Sequence, residues 1–291
     1  MKNKVLITGI TGMVGSHLAD YLLSKTDWFI HGMCRWRSPI DNITHLFDRA
    51  NKKDRIEFHN GDLCDFLSLF DVISKTKPDF VFHLAAQSYP HTSFTSPLIT
   101  FDTNISGTLR LLEAIRKNKI NPLIHICSSS EVFGRVPSEN LPIDELCNFH
   151  PASPYAISKV GTDLLGRYYA EAYKMTIMTT RMFTHTGPRR GDVFAESTFA
   201  KQIAMIEKEL IPPVVKVGNL YSLRTWADVR DAVRAYWLLL EKCIPGEVYN
   251  IGGDETMTIG EMLEILKSFS SCNIVHKVDE SLLRPSDVTL Q

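Results

Sequence analysis

The sequence lacks the features that define several large classes of protein. Lysine and arginine total 32 against 33 aspartates and glutamates, for a formal net charge of -1, and no block of like charge occurs. The longest apolar runs, such as residues 80–86, are far shorter than the roughly 18 residues of a membrane span. We therefore expect no nucleic-acid partner and no membrane partner.

Cysteine and histidine are too scattered to predict a disulfide framework or a zinc site. The six cysteines lie far apart without a CxxC pair, which is typical of free thiols in a reducing cytoplasm. Apolar residues 5–7 run directly into Thr8 and Gly9, so no secretory signal is expected. We expect a cytoplasmic protein with no metal site. The histidines considered and not interpreted as ligands are His17, His45, His83 and His185.

Short apolar stretches alternate with stretches of helical periodicity along most of the chain. With 291 residues, 44% of them hydrophobic, the chain can bury a substantial core. The pattern predicts strands at residues 28–34, 56–58, 80–86, 123–128 and 175–183, and helices at residues 67–74, 107–117 and 155–173. Alternation of this kind indicates an α/β fold with a doubly wound parallel sheet covered by helices on both faces.

A glycine-rich turn joins the first predicted strand to the first predicted helix. Gly9, Gly12 and Gly15 have the spacing that a dinucleotide pyrophosphate requires, with one glycine for a tight turn, one for close approach and one for helix packing. The N-terminus of the following helix would then bind the phosphates. An ordinary surface turn is the alternative.

The end of the second predicted strand indicates which dinucleotide binds. NAD sites usually place an acidic residue there to accept a hydrogen bond from the ribose, whereas this sequence has Arg35 and Arg37. Guanidinium groups bind a 2′-phosphate, so NADP is favoured over NAD, with solvated loop charges as the alternative. Asp62, just after the third strand, suits either the adenine amino group or a turn.

Tyr155 and Lys159 lie four residues apart on a predicted helix and so share one of its faces. A tyrosine works as a base near neutral pH only where a nearby cation stabilises the phenolate, and Lys159 would supply that charge. Ser129 follows a predicted buried strand, at the edge where doubly wound sheets bind ligands. We expect it to hold a substrate hydroxyl beside Tyr155.

Together these motifs resemble the extended short-chain dehydrogenase/reductase superfamily. The TGxxGxxG loop, the HLAA strand at residues 83–86, the strand-end serine and the YxxxK helix occur in the order typical of that superfamily. The stretches HGMCRWRS, SSSEVFG, SPYAISK, GPRRG and RTWADVRDAV are similar to segments of the group formed by the GDP-mannose 4,6-dehydratases and the GDP-4-keto-6-deoxymannose reductases.

The resemblance implies a role for each residue that matches the motifs of the group. Ser129 takes the catalytic Ser/Thr position, Ser130 and Glu131 take the acid-assisting and base positions, and Tyr155 and Lys159 form the oxidoreductase pair. The implied cofactor-binding residues are Thr8, Gly9, Thr11, Gly12, Met13, Val14, Gly15, Arg35, Asp62, Leu63, Leu84, Ala85, Ala86, Tyr155 and Lys159. The implied substrate-binding residues are Ser88, Thr184, Arg190, Asn219, Arg224 and Arg284, with Arg189 assigned to the cofactor, the nucleotide sugar or a neighbouring subunit.

The expected activity is the NADP-dependent conversion of GDP-mannose, or a related GDP-sugar, to the 4-keto-6-deoxy sugar by internal hydride transfer. Glu131 favours this 4,6-dehydratase reaction because elimination of water requires a carboxylate beside the ring, whereas reduction of a ketone does not. The alternatives are a GDP-4-keto-6-deoxymannose reductase, a nucleotide-sugar 4-epimerase and a non-catalytic NADP-binding regulator. Thr184 stands where the family usually has asparagine, so the sugar is left open. The family also implies a homodimer or homotetramer.

The sequence predicts two regions. A dinucleotide-binding Rossmann domain with the catalytic residues spans residues 1–187, and a smaller mixed α/β substrate region spans residues 188–291, with part of it returning to the core. Pro212, Pro213, Gly252 and Gly253 punctuate the second region. The chain ends without a helix stop signal or a polar tail, so we expect the natural protein to continue beyond Gln291.

Overall fold

Seven parallel strands form the central sheet of the computed structural model, which describes residues 2–286, 288 and 290–291. They are β1 Lys4–Thr8, β2 Phe29–Cys34, β3 Ile56–Asn60, β4 Phe80–His83, β5 Leu123–Cys127, β6 Ile177–Met182 and β10 Val248–Ile251. In space they follow the order β10, β6, β5, β4, β1, β2, β3, and each pairing is parallel. The predicted doubly wound parallel sheet is therefore confirmed.

Helices cover both faces of this sheet. They are α1 Met13–Lys25, α2 Phe47–Asn51, α3 Phe66–Thr76, α4 Pro90–Thr95, α5 Pro97–Phe101, α6 Gly107–Lys117, α7 Pro154–Tyr173, α8 Ala195–Glu207, α9 Val229–Lys242 and α10 Ile259–Ser268. Leu18 of α1 and Tyr236 of α9 are buried on one face, and Leu69 of α3, Leu112 of α6 and Tyr169 of α7 on the other. Across the described part of the chain, no helix combines the length and apolar character needed to span a bilayer.

The predicted and observed ends of a strand differ where a side chain, rather than a neighbouring strand, accepts the backbone hydrogen bonds. The strand predicted at residues 80–86 ends at His83, because the N–H groups of Leu84 and Ala85 both donate to Thr8 Oγ1, at 3.1 Å each. The helix predicted at residues 107–117 has those bounds in α6. Helix α7 begins at Pro154, one residue before the prediction, and Ser153 caps it.

Residues after Met182 form smaller sheets and also complete the central one. Strands β7 His185–Thr186, β9 Leu223–Asp228 and β11 Glu255–Thr258 make one small sheet, and β8 Val214–Val217 pairs with β12 Val275–Val278. Phe199 of α8, Val215 of β8 and Leu263 of α10 belong to a separate hydrophobic cluster. Strand β10 instead pairs with β6 of the central sheet, and helix α9 packs against one face of that sheet. The division at residue 187 stays a prediction.

Candidate functional site

A cavity of about 640 Å³ opens where β1, β4, β5 and β6 end, and residues from both parts of the chain line it. Parallel α/β sheets bind ligands at the carboxyl ends of their strands, where neighbouring connections diverge to opposite faces. Here β1 and β4 are such neighbours. The predicted residues on the wall of this central cavity are Gly9, Thr11, Gly12, Met13, Val14, Gly15, Leu84, Ala86, Ser88, Ser129, Ser130, Glu131, Tyr155, Lys159, Thr184, Arg190, Asn219, Arg224 and Arg284.

The glycine loop, residues 8–15, has no space for side chains at two of its positions. Gly9 has a φ of +71°, and a Cβ there would lie 2.8 Å from the Cα of Ala85. A Cβ on Gly15 would overlap the carbonyl oxygen of Gly9. Gly12 precedes α1, and no side chain caps that helix, which suits an anion bound at its N-terminus. The loop therefore has the form of a phosphate cradle.

Five residues predicted to bind the cofactor do not line the cavity. Thr8 is fully buried, and its hydroxyl binds the backbone after β4. Leu63 is buried too and packs against Gly107. The predicted cofactor contacts of the five stay predictions, and the structure gives Thr8 and Leu63 a supporting position behind the wall. The five residues are Thr8, Arg35, Asp62, Leu63 and Ala85.

Arg35 and Asp62 lie at the ends of β2 and β3. Arg35 is exposed, and so is Arg37. Asp62 accepts a hydrogen bond from the N–H of Cys64 at 2.9 Å, as expected of the turn residue that was one of its two predicted roles. This bond uses one carboxylate oxygen, so the other oxygen could still bind the adenine amino group.

The catalytic candidates meet where β5 ends and α7 begins. Tyr155 and Lys159 are both buried, and Lys159 Nζ donates to the Cys127 carbonyl at 2.6 Å. Ser129 Oγ accepts from the N–H of Glu131 at 3.2 Å, and Ser129 is near enough to Tyr155 to lower the pKa of its phenol. Ser129 thus connects the phenol and the segment that carries the carboxylate.

Burial shifts the pKa values of Tyr155 and Lys159. Burial, and next the neighbouring Cys127, raise the pKa of Tyr155, while Ser129 and Arg190 oppose that shift. Burial also lowers the pKa of Lys159. Tyr155 is therefore a neutral phenol in the free protein, and added positive charge beside it would favour the phenolate.

Arginines also line the cavity, close to the catalytic candidates. Arg190 Nε lies 2.9 Å from Glu196 Oε1, and its guanidinium carbon lies 3.6 Å from the ring centre of Phe194. Burial lowers the pKa of Arg190, and Glu196 opposes that shift. Arg284 Nη1 lies 3.9 Å from Glu131 Oε1. Guanidinium groups in such positions suit a diphosphate.

Several polar residues on this wall were not predicted from the sequence, and Asn42 and His185 are among them. Asn42 Nδ2 donates to the carbonyls of Thr11 at 3.0 Å and Arg189 at 3.3 Å, and so connects the glycine loop to the arginine segment. His185 also lines the cavity, and burial followed by Arg190 lowers its pKa to about 4. Asn42 lies in a stretch without periodicity, so no local signal identified it.

Comparison with known proteins decides the family. The family model described as GDP-mannose 4,6 dehydratase matches residues 6–288. The chain belongs to the GDP-mannose 4,6-dehydratase family. The family predicted from the motifs is therefore confirmed, and with it the superfamily of extended short-chain dehydrogenases/reductases.

Relatives and solved structures agree with membership of the GDP-mannose 4,6-dehydratase family. The chain is 37% identical to the GDP-mannose 4,6 dehydratase of Drosophila melanogaster over 265 residues, which cover 89% of this chain and 66% of the relative. The Yersinia enterocolitica enzyme is 36% identical over 267 residues, covering 90% and 70%. The structure is similar to RMD from Pseudomonas aeruginosa complexed with NADPH, with a TM-score of 0.82, 29% identity and coverage of 99% and 88%.

Proposed function

We propose that this protein is an NADP-dependent 4,6-dehydratase that converts GDP-mannose, or a closely related GDP-sugar, to the 4-keto-6-deoxy sugar. The curated relatives carry that activity in their names. One observation supports the proposal most directly: the carboxylate of Glu131 and the phenol of Tyr155 line the same cavity. An oxidation at one sugar carbon and an elimination at its neighbours require two such groups beside one ring.

The residues present fit a dinucleotide. The glycine loop leaves no room for a Cβ at Gly9 or Gly15, as a close turn around a pyrophosphate requires, and the uncapped start of α1 suits that pyrophosphate. Arg35 would hold the 2′-phosphate, and the NADPH complex of RMD supports that choice. When bound, NADP would accept a hydride from sugar carbon 4 and return it to carbon 6.

Tyr155 and its neighbours would perform the first half of the reaction. The phenolate of Tyr155 takes the proton from the hydroxyl on carbon 4, which becomes a ketone. Lys159 supplies the positive charge that stabilises the phenolate, and Ser129 orients the reacting hydroxyl. The Lys159 ammonium is already held on the Cys127 carbonyl, so the cation has a fixed position.

Glu131 would perform the elimination. The new ketone acidifies the hydrogen on carbon 5, and the Glu131 carboxylate removes it as a proton. The protonated Glu131, assisted by Ser130, would return this proton to the hydroxyl on carbon 6, which leaves as water. Carbon 5 of the unsaturated ketone would then take the proton held by the Tyr155 phenol as carbon 6 takes back the hydride. A carboxylate whose side chain is only 14% exposed is shielded from bulk water, as a base working on a weakly acidic carbon requires.

The arginine wall would bind the GDP diphosphate. Arg190, Arg224 and Arg284 supply guanidinium groups along one part of the cavity. Ser88, Thr184 and Asn219 would contact the sugar and its flanking groups. Arg284 lies near enough to Glu131 to orient it, which would place the diphosphate close to the ring being processed.

The proposal is tested by incubating the protein with GDP-mannose without added reduced cofactor and measuring the product mass. We expect loss of one water, abolished by Glu131→Gln and retained by Glu139→Gln, a control at an exposed carboxylate. A reductase would instead consume NADPH on the 4-keto sugar, and an epimerase would leave the mass unchanged. NADP binding without turnover of any nucleotide sugar would indicate the regulator.

We further propose a homodimer or homotetramer that associates through α6 and α7. These helices expose apolar side chains, and the exposed set is Leu109, Ile157, Leu164, Tyr168 and Tyr173. Such residues on the solvent side of two adjacent helices favour burial against a second copy. The mass in solution, measured by light scattering, tests this proposal: a monomer would contradict it.

We also propose a cytoplasmic location. All six cysteines are free thiols in the structure, and free thiols persist in a reducing compartment. Fractionation of the native source would test this: activity recovered with the cytoplasmic fraction is expected, and activity confined to an oxidising compartment would contradict the proposal.

A further inference from the structure

A second group of titratable side chains lies outside the central cavity. His31 of β2 and Glu57 and His59 of β3 place their ligand atoms within 4.8 Å of one another, and none of the three lines the cavity. We refer to these three residues as the histidine cluster. No step of the proposed reaction uses it, so it requires an explanation of its own.

The strand register brings the histidine cluster together. Residues two apart on a strand point to the same face, so Glu57 and His59 project side by side. His31 is the register partner of Glu57 on the adjacent strand, and cross-strand partners also share a face. Helix α3 covers that face, where Lys75 Nζ lies 3.1 Å from Glu57 Oε1. Three ligating side chains are therefore held by backbone pairing.

The spacing of the three donor atoms suits a small four-coordinate cation. His31 Nδ1 lies 2.9 Å from His59 Nε2, and His59 Nε2 lies 3.8 Å from Glu57 Oε2. Tetrahedral zinc with nitrogen and oxygen ligands at about 2.0–2.2 Å places neighbouring ligands about 3.3–3.6 Å apart. The first pair of atoms is hydrogen-bonded and would separate by a few tenths of an ångström around an ion, whereas the second pair would approach by a similar amount. Lys75 contacts the other oxygen of Glu57, so Oε2 is the one near His59.

Both imidazoles lie inside the protein. His31 and His59 are buried, and each ring can offer a metal the lone pair of one nitrogen. Glu57 is partly exposed and adds a carboxylate oxygen beside them.

We propose that His31, Glu57 and His59 bind one Zn²⁺ ion, with water as a fourth ligand. The ion would link β3, an edge strand of the central sheet, to the neighbouring strand β2. Its role is structural, because the ligands stand apart from the cavity wall. The proposal is independent of the proposed dehydratase activity, and either can fail without the other.

The test is metal binding by the full-length protein after its metal is removed with a chelator. Titration with Zn²⁺, and with Co²⁺ as a spectroscopic probe, is expected to give one site per chain. Glu57→Gln is the decisive variant because this side chain is 34% exposed and its loss should leave the fold intact. We expect at least about tenfold weaker Zn²⁺ binding, since even supporting residues of zinc sites contribute 10–100-fold.

Two matched variants sharpen the test. Lys75→Gln removes the ammonium that competes for Glu57, so Zn²⁺ should bind at least as tightly as in the unaltered protein. His45→Gln alters an exposed histidine paired with Asp20 and should change nothing. Equal affinity in Glu57→Gln, weaker affinity in Lys75→Gln, or a Co²⁺ spectrum with thiolate charge-transfer bands would overturn the proposal, the last by placing the metal on cysteine.

Discussion

The two sides of the central cavity are built in different ways. The cofactor side is a continuous segment, residues 8–15, whose shape depends on the absence of side chains at Gly9 and Gly15. The substrate side consists of side chains spread from Thr184 to Arg284, several of them arginines. One added side-chain atom should be enough to disrupt phosphate binding by the glycine loop. Loss of one arginine, by contrast, should remove only one of several contacts to the substrate.

Tyr155 is the residue at which the two sides meet, and its loss should have the largest effect. Tyr155→Phe removes the proton acceptor while keeping the ring, so kcat should fall by about 10²–10⁴-fold and cofactor affinity should persist. Steady-state kinetics and cofactor titration check this. Tyr168→Phe, on the exposed face of the same helix, is the control, and a kcat for Tyr155→Phe within about tenfold of normal would contradict the assignment.

The cradle can be broken with a single methyl group. Gly15→Ala forces a Cβ against the Gly9 carbonyl, so NADP affinity should fall by about 100-fold, equivalent to roughly 3 kcal/mol. Gly252→Ala, whose added Cβ would meet its neighbours at 3.5 Å, should bind normally. Unchanged NADP binding by Gly15→Ala would show that the loop does not hold the pyrophosphate.

Loss of one arginine from the substrate side should weaken substrate binding without abolishing it. Arg284→Gln removes one charged donor, so KM for the GDP-sugar should rise about 10–100-fold, as expected for a hydrogen bond to a charged group, while NADP affinity stays unchanged. Kinetics with the substrate varied at saturating NADP measure this split. An equal loss of NADP affinity would contradict the separation of the two sides.

Arg35 tests which dinucleotide the cradle prefers. Arg35→Ala should weaken NADP binding by about tenfold and leave NAD binding unchanged, since only NADP has the phosphate that the guanidinium would pair with. Fluorescence titration with both cofactors, and Arg37→Ala beside it, identifies the arginine responsible. The assignment fails if both cofactors lose affinity equally.

Acid should weaken the part of the molecule around the central sheet. Burial lowers the pKa of His83 and of His125 to about 3. Lys159 adds to the shift of His83, and His83 followed by Lys159 adds to the shift of His125. Below about pH 6.5 the two histidines take up protons in the unfolded chain but not in the folded chain. Their contribution to the free energy of unfolding is therefore complete above pH 6.5 and declines as the pH falls below it. Each histidine should cost about 1 kcal/mol per pH unit.

Urea unfolding at pH 7.5 and pH 5.5 measures this effect. Carboxylates are still ionised at pH 5.5, so the loss can be assigned to histidine. The smaller sheets should contribute to it as well, because they contain His185 in β7, and burial lowers the pKa of His185 to about 4. Equal stability at the two pH values would contradict the assigned protonation states.

The sequence carries a local signal for the cofactor side, whereas the substrate side was predicted only from the family resemblance, and the difference has a physical reason. Glycine spacing, a preceding strand and a following helix are local, so residues 8–15 carry their own signal. Helix α6 was also predicted with its observed bounds, because its apolar periodicity is strong. The strand before Leu84 was predicted too long, since a hydroxyl 76 residues away terminates it.

Contacts between distant segments could not be predicted in this way. Arg284 and Glu131 were each predicted from a family resemblance, but their approach to 3.9 Å depends on the fold. Asn42 lies in an irregular stretch, and the histidine cluster draws its ligands from two strands, so neither produces a pattern along the chain. Individual residues could be predicted from the sequence, whereas the contacts between distant segments could be seen only in the folded structure.

The central claim is that one cavity removes a hydride equivalent from carbon 4 of the sugar and restores it to carbon 6 of the same molecule. GDP-mannose carrying deuterium at carbon 4 tests this directly, with the product examined by mass spectrometry and NMR. The account predicts a product that has lost one water and carries the deuterium on carbon 6. A dehydrated product without deuterium, or deuterium accumulating in the reduced cofactor, would contradict it.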